Sequence, residues 1–346
     1  MMNNNSDKLI LVTGGTGFLG MHCIIQLLNK SFKVRTSIRS LKKENEVITM
    51  LKNSGKVEHI ENLSFVEADL SQDYNWDKAT ENCDYILHVA SPVPLNMPKN
   101  ENEVISPAVE GTLRVLKAAK SAGVKRVVLT SSFAAVGYSH KDANTLITEE
   151  NWTDPNDKNL SAYIKSKTLA EMAAWDFVKS KGNGLELTTI CPGLILGPVL
   201  SPSLPSSVRA IKQLLDGTIK ATPKISFSII DVRDVADLHV RAMESLEANG
   251  QRFLASNDVP LEFHDVAMMI KHKFGEEASY VTTKVLPNWV VRIAALFKPE
   301  AKDIVPQLNR VKNSNNEKAK TLLGWPPRSS EEAIFASVES ILRFGK

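Results

Sequence analysis

Short apolar runs alternate with longer amphipathic stretches through the first half of the chain. Lys8–Thr13 (KLILVT) is almost wholly apolar and stops at glycines, the pattern of a strand buried on both faces. Phe18–Asn29 carries apolar residues at helical spacing, and Lys33–Ile38 predicts a second strand. A polar helix over Leu41–Asn53 and a third strand over Leu63–Glu67 follow. Tyr85–Val89 predicts a fourth strand, closed by the turn residues Ser91, Pro92 and Pro94. Glu103–Ala122 reads as a long amphipathic helix with Gly123 as its C-cap. Arg126–Thr130 predicts a fifth strand, Ala162–Lys181 a helix, and Leu185–Cys191 a sixth strand. Strands alternating with helices at this spacing give an α/β fold. Right-handed crossovers make a doubly wound parallel (Rossmann) sheet the expected topology.

The texture changes after Cys191. Pro192, Pro198, Pro202 and Pro205 fall close together with Gly193 and Gly197 among them, which is loop chemistry. Beyond the break the pattern is mostly helical: Ser206–Leu215, Asp234–Leu246, Leu261–Phe274, Trp289–Leu296, Asn315–Leu323 and Glu331–Phe344. Short strands around Ser226–Ile230 and Arg252–Ala255 are candidates to rejoin the sheet.

Composition narrows the class of protein. The 346 residues are 43% hydrophobic and 23% charged, near the globular average, which excludes wholesale disorder. Lys and Arg number 42 against 39 Asp and Glu, too even a balance for a nucleic-acid footprint. Cys23, Cys83 and Cys191 are too few for a disulfide framework or a four-Cys zinc site and suit a reducing compartment. The seven histidines lack paired ligand spacing, so no metal is expected. The start MMNNNSDK has no apolar signal core, and Leu286–Phe297 is broken by Asn288 and Arg292. The expectation is a soluble cytoplasmic protein, monomer or homodimer, with no membrane and no nucleic-acid partner.

Two constellations carry chemistry. Gly14, Gly17 and Gly20 stand at G-x-x-G-x-x-G spacing, after a predicted strand and into a predicted helix. That placement allows a tight turn, close backbone approach to a pyrophosphate and a helix packed on the sheet. The helix N-terminus adds partial positive charge toward the phosphates. Some twenty residues on, an acid would accept from a ribose 2′-hydroxyl and an Arg would hold a 2′-phosphate. The sequence places Arg39, Lys42 and Lys43 there, with no acid before Glu44, which favours NADP(H).

The second constellation is Tyr163 and Lys167, spaced i, i+4 on one helix face, some thirty residues after a strand ending Thr130-Ser131-Ser132. Tyr163 would exchange a proton with a substrate oxygen. A free phenol ionises near pH 10, so acid–base work at neutral pH asks for about 4 kcal/mol of phenolate stabilisation. The Lys167 ammonium and an oxidised nicotinamide would supply it. Ser132 would hold the carbonyl oxygen in place.

These pieces carry a resemblance. VTGGTGFLG (Val12–Gly20), SIRS (Ser37–Ser40), ADL (Ala68–Leu70), HVASP (His88–Pro92), LTSS (Leu129–Ser132), YIKSKTLAE (Tyr163–Glu171), CPGLILGP (Cys191–Pro198) and DVRDVADLH (Asp231–His239) run in order. Together they resemble an extended short-chain dehydrogenase/reductase, in the group of dihydroflavonol reductases, cinnamoyl-CoA reductases and yeast-type methylglyoxal reductases. The resemblance implies NADPH as cofactor, with Gly14, Thr16, Gly17, Phe18 and Leu19 at the pyrophosphate and Arg39 and Lys43 at the 2′-phosphate. It implies Asp69 and Leu70 at the adenine, Val89, Ala90 and Ser91 lining the cleft with Thr130 beneath, and Pro192, Gly193, Leu194 and Ile195 on the nicotinamide. It makes Ser132, Tyr163 and Lys167 the catalytic set and a small-molecule carbonyl the substrate, reduced to an alcohol. Tyr163 and Lys167 would also touch the cofactor. Pro94 and Phe133 are candidate pocket wall.

Residues 1–195 with about 225–255 are the expected cofactor domain, and 196–224 with about 256–346 the substrate domain. The chain departs from this group at three places. Glu110 replaces a common Asn, which bears on any proton relay through that helix. Gly137 in place of the Asn of dihydroflavonol reductases argues against a flavonoid substrate, and the absence from Phe133–Lys141 of the segment typical of cinnamoyl-CoA reductases argues against a CoA thioester. An NAD-dependent sugar-nucleotide epimerase or dehydratase and a non-catalytic NADP(H) sensor are the alternatives. Arg39 opposes the first, and retention of both Tyr163 and Lys167 opposes the second.

Overall fold

The strands Leu9–Thr13 (β1), Lys33–Ile38 (β2), Leu63–Glu67 (β3), Tyr85–His88 (β4), Arg126–Thr130 (β5) and Glu186–Pro192 (β6) run parallel in one sheet. The chain then makes short pieces, Leu194–Leu196 (β7), Thr222–Pro223 (β8), Ser226–Phe227 (β9) and Ile229–Asp231 (β10). Arg252–Ala255 (β11) returns to lie against β6, and Leu261–Glu262 (β12) and Val285–Leu286 (β13) follow. The sheet order is β11-β6-β5-β4-β1-β2-β3. Its strand order reverses at β1, between β4 and β2, and the crevice above that reversal is where doubly wound sheets bind ligands. The computed structural model describes residues 5–55, 57–92, 100–140, 142, 145–257 and 259–345.

Helices cover both faces. Phe18–Asn29 (α1), Glu44–Asn53 (α2), Trp76–Thr80 (α3), Asn102–Ser121 (α4) and Ala162–Lys181 (α5) connect the first six strands. Ser206–Leu215 (α6), Val232–Glu244 (α7), Phe263–Phe274 (α8), Asn288–Ala294 (α9), Pro299–Ile304 (α10), Glu317–Leu323 (α11) and Ser330–Gly345 (α12) follow. Alternate residues of each strand serve opposite faces. Ile10, Val12, Leu87 and Val128 pack with α1 and α7, while Leu11, Ile86, Val127 and Leu129 pack with α4 and α5. A separate apolar cluster joins Leu196, Val208, Phe263, Ile270 and Val338, from β7, α6, α8 and α12.

Arg126 pins the far end of the sheet. Its buried guanidinium pairs with Glu186 at 2.5 Å and donates to the carbonyls of Ala242 and Met243 at the end of α7.

One strand expectation is corrected. The segment Ser226–Ile230 does not rejoin the sheet; it splits at Ser228 into β9, which pairs with β12, and β10, which pairs with β7. The β6–β7 turn causes this. Leu194 donates its N–H to the Ser228 carbonyl at 2.8 Å, and a Cβ on Gly193 would stand 2.2 Å from that same oxygen. The short helices α3 and α10 were not expected, because five and six residues are too few to show a period.

Candidate active site

The C-terminal ends of β1, β4 and β5 are tied by threonines and histidines. Thr13 Oγ1 accepts from the N–H groups of Val89 and Ala90 at 3.0 and 2.9 Å. A hydroxyl has one proton, and here it goes to His88 Nδ1 at 2.9 Å. His88 is therefore an acceptor there and neutral. Burial, and then the Lys167 cation, push it down to about 3. The same logic holds at β5: His239 Nδ1 donates to the Val235 carbonyl, so Nε2 accepts from Thr130 Oγ1 at 2.7 Å. Burial holds His239 down to about 4. Two uncharged imidazoles thus fix the threonines in the crevice wall.

The glycine loop sits beside this knot. Gly14 has φ +76°, and a Cβ there would press to 3.0 Å on Ala90 Cβ, while a Cβ on Gly20 would meet the Gly14 carbonyl at 2.5 Å. Gly17 opens α1 with no side-chain cap, so the first-turn N–H groups keep no side-chain partner. Thr16, Gly17 and Phe18 line a cavity of about 240 Å³ closed by the 199–205 loop. The Leu19 side chain is buried in the core and offers only its backbone. Arg39 is exposed at the end of β2 and makes no ion pair among the described residues, whereas Lys43 lies 3.7 Å from Glu46. At the end of β3, Asp69 Oδ1 accepts from the backbone and hydroxyl of Ser71, both at 2.9 Å, and Leu70 is buried with its carbonyl taken by Arg114.

Tyr163 and Lys167 stand one turn apart near the start of α5, whose N-cap Ser161 accepts from the Ile164 N–H. The Lys167 ammonium lies 5.8 Å from the Tyr163 ring centroid and donates to Ser91 Oγ at 2.8 Å. Tyr163 is 54% exposed and faces the crevice. Ser132 Oγ accepts from the Ala134 N–H at 3.1 Å, which leaves its own proton to give. Ser132 and Tyr163 line one cavity of about 150 Å³ with Pro192, Gly193 and Leu194. Ile195 pairs with Ile230 in the β7–β10 ladder. A smaller recess joins Ala90, Ser91, Thr130 and Lys167. Glu110 faces outward beside Asp73 and Arg114, while the face of α4 toward Lys167 carries Ala108 and Thr112.

Phe133 is buried in a cluster with Val136, Ile147, Cys191 and Leu254 and also lines the cavity. Pro94 lies outside the described residues. Behind Ser131, Glu171 is wholly buried and accepts from Ser131, Thr189 and Arg252. Burial and the Glu171 carboxylate push the Cys191 thiol up, so it is not a reactive thiolate. No cluster of His, Cys, Asp or Glu among the described residues could hold a metal, and no helix there is long and apolar enough to cross a membrane.

Several wall residues escaped sequence reasoning, among them polar-tipped side chains at the cavity. Tyr138, Ser228 and Lys312 line the same cavity as Tyr163. Lys312 projects over the Tyr138 ring at 4.4 Å, and burial, with Arg310 nearby, pushes its ammonium down to about 8.

Comparison with known proteins places this geometry. The model described as the 3-beta hydroxysteroid dehydrogenase/isomerase family matches residues 11–287. An uncharacterized oxidoreductase of Schizosaccharomyces pombe is 36% identical over 298 residues, 81% of this chain and 86% of that protein. A cinnamoyl-CoA reductase of Medicago truncatula is 36% identical over 259 residues, 73% of this chain and 78% of its own length. The solved structure of the yeast methylglyoxal/isovaleraldehyde reductase Gre2 complexed with NADPH superposes with a TM-score of 0.78 at 27% identity, over 97% of this chain and 99% of that one.

Proposed function

The chain belongs to the 3-beta hydroxysteroid dehydrogenase/isomerase family, a lineage of extended short-chain dehydrogenase/reductases, and from that premise we propose that it reduces an aldehyde or ketone to an alcohol with NADPH. It is an oxidoreductase; the carbonyl substrate and the roles of individual residues are our reading.

The cofactor fits the residues present. The uncapped N-terminus of α1 would face a pyrophosphate, and the Gly14 turn, where a Cβ would press on Ala90, lets the loop pack close beside it. Arg39, exposed and without an ion pair among the described residues, and Lys43 would hold the 2′-phosphate. Asp69, Leu70, Val89, Ala90, Ser91 and Thr130 would border the rest of the cofactor, with Pro192, Gly193, Leu194 and Ile195 at its nicotinamide end. NADPH, when bound, supplies the hydride.

The chain's own residues manage the oxygen. As the carbonyl oxygen gains charge, the Tyr163 hydroxyl gives it a proton. Ser132, with its proton free, donates a hydrogen bond to that oxygen and fixes its direction. Lys167, held by Ser91, sets a positive charge beside the phenol and favours phenolate as the proton leaves. Residues 1–195 with about 225–255 would hold the cofactor. The segments 196–224 and about 256–346 would close over the substrate, a division supported by the separate apolar cluster of β7, α6, α8 and α12.

The observation that carries this reading is the single cavity shared by Ser132 and Tyr163, with Lys167 one turn behind. NADPH oxidation with a panel of aldehydes, ketones and α-dicarbonyls tests it. Tyr163→Phe is expected to lower turnover about 10²- to 10⁴-fold. Absence of turnover by the wild type with every carbonyl, or full turnover by Tyr163→Phe, would sink it.

A further inference from the structure

The cavity below Tyr163 opens into a larger one of about 820 Å³, and Tyr138, Tyr163, Leu194, Phe227 and Lys312 line both. The larger chamber is walled chiefly by aliphatic and aromatic side chains such as Leu196, Ile211, Ile225 and Phe263. Lys312 is a cation at the junction of the two. It donates to Gln307 Oε1 at 2.6 Å and lies over the Tyr138 ring, but no carboxylate among the described residues stands within ion-pair distance of it.

Its position is held from behind. The Ile147 N–H donates to the Asn313 carbonyl at 2.9 Å, and the Asn315 N–H donates to the Ile147 carbonyl at 3.0 Å. Ser314 is bridged to Ile147 and hydrogen-bonded to Ser256 at 3.0 Å. Two strand-like anchors thus fix the backbone immediately after Lys312, and the Gln307 amide and the Tyr138 ring hold its ammonium at the cavity. Among the described residues this partly desolvated cation has one neutral acceptor and one aromatic face, an arrangement that an anion would stabilise. Burial pushes this ammonium down to about 8, and an anion beside it would raise it again and strengthen the charged form.

We propose that Lys312 is the anion-binding residue of the substrate pocket, and that the preferred substrates are oxo acids, whose carboxylate it holds while the carbonyl sits at Ser132 and Tyr163. The proposal rests on the reductase reading and narrows its substrate class. In the reaction the carbonyl carbon takes the hydride, the oxygen takes the Tyr163 proton, NADPH is oxidised to NADP⁺, and the carboxylate is unchanged. The aliphatic wall would take the rest of the chain.

The test pairs short oxo acids with their methyl esters. For wild type, kcat/KM is expected to favour the acids. Lys312→Met, close in length and free of charge, should lower kcat/KM for the acids about 10- to 100-fold, chiefly through KM, and that for the esters less than about threefold. Lys312→Arg should keep part of the preference. Calorimetric titration of the NADP⁺-loaded protein with an oxo acid should give binding that Lys312→Met loses. Equal loss for acids and esters, unchanged acid kinetics, or binding indifferent to Lys312→Met would overturn the subsite and leave the reductase reading standing. Oxo-acid binding that depends on Lys312, with no turnover of any carbonyl, would uphold the subsite and overturn the reductase reading.

Discussion

Replacing Arg252 by Met would leave the Glu171 carboxylate in the core without its counter-charge. In the native protein, Arg252 Nε donates to Oε1 of Glu171 at 2.8 Å and Nη2 to Oε2 at 3.2 Å, with the Glu171 side chain wholly buried. The same guanidinium donates to the carbonyls of Glu149 and Asn151 at 2.6 and 2.8 Å and stacks 3.6 Å from the Trp152 ring centroid. Met reproduces the aliphatic stem and none of these bonds. Breaking a buried pair by removing one partner costs about 3–5 kcal/mol. Ser131 and Thr189 still donate to the carboxylate, at 2.6 and 2.8 Å, which places the expected loss toward the lower end. For a chain of this length, a loss of about 3–4 kcal/mol is a fall in Tm of roughly 4–6 °C. Urea unfolding and calorimetry measure both quantities. The double variant Arg252→Met/Glu171→Gln removes the stranded charge while keeping an acceptor for the two hydroxyls. It should recover about 1–3 kcal/mol relative to the sum of the single variants. A loss under 1 kcal/mol for Arg252→Met, or strict additivity in the double variant, would refute the assignment of this pair as a coupled buried unit.

Two further outcomes follow from features of the crevice. Arg39→Ser should raise KM for NADPH about 10- to 100-fold and leave KM for NADH within about twofold, because NADH lacks the 2′-phosphate; equal effects on both would remove Arg39 from that role. His22, His88 and His239 are held by burial at about 4, 3 and 4, below the ordinary histidine value, so the unfolded chain binds protons there before the folded one does. Stability is therefore full above about pH 6.5 and falls as pH drops below it, by up to about 1.4 kcal/mol per pH unit for each histidine. Urea midpoints between pH 7 and pH 5 measure the slope, and a flat profile would contradict neutral, buried imidazoles.

Much of the sheet and its helices was legible because the signals are local. Phe18–Asn29, Ala162–Lys181 and Ser206–Leu215 form helices with the bounds expected from their periodicity. The α7 helix starts two residues early, at Val232, because the Asp231 carboxylate accepts from the Arg233 N–H and caps it. The strand-end residues and the Tyr163–Lys167 spacing were legible for the same reason, since each lies within one turn or one strand. Lys312 was not. It sits in a polar run, VKNSNNEK, that reads like any solvated segment, and long-range pairing with Ile147 and Ser256 brings it to the cavity. Ser228 was hidden likewise, because its place depends on Gly193 coming against its carbonyl.

The edge strand β11 has a consequence for how the chain is assembled. Its partner β6 ends at Pro192, and about sixty residues, among them β7, α6, β10 and α7, are made before β11 arrives. The seventh strand thus shuts the sheet behind an excursion that carries part of the substrate wall. A ribosome must make that excursion before β11 can pair, so the sheet is completed only after residues 193–251 have been made. Truncation after Leu196 would strip both the edge strand and the α7 carbonyls that hold Arg126. Within the excursion, by contrast, wall residues can change without altering strand pairing. On the proposed reading, substrate preference can shift at wall residues such as Ile211 and Ile225 while the seven-strand ladder keeps its register.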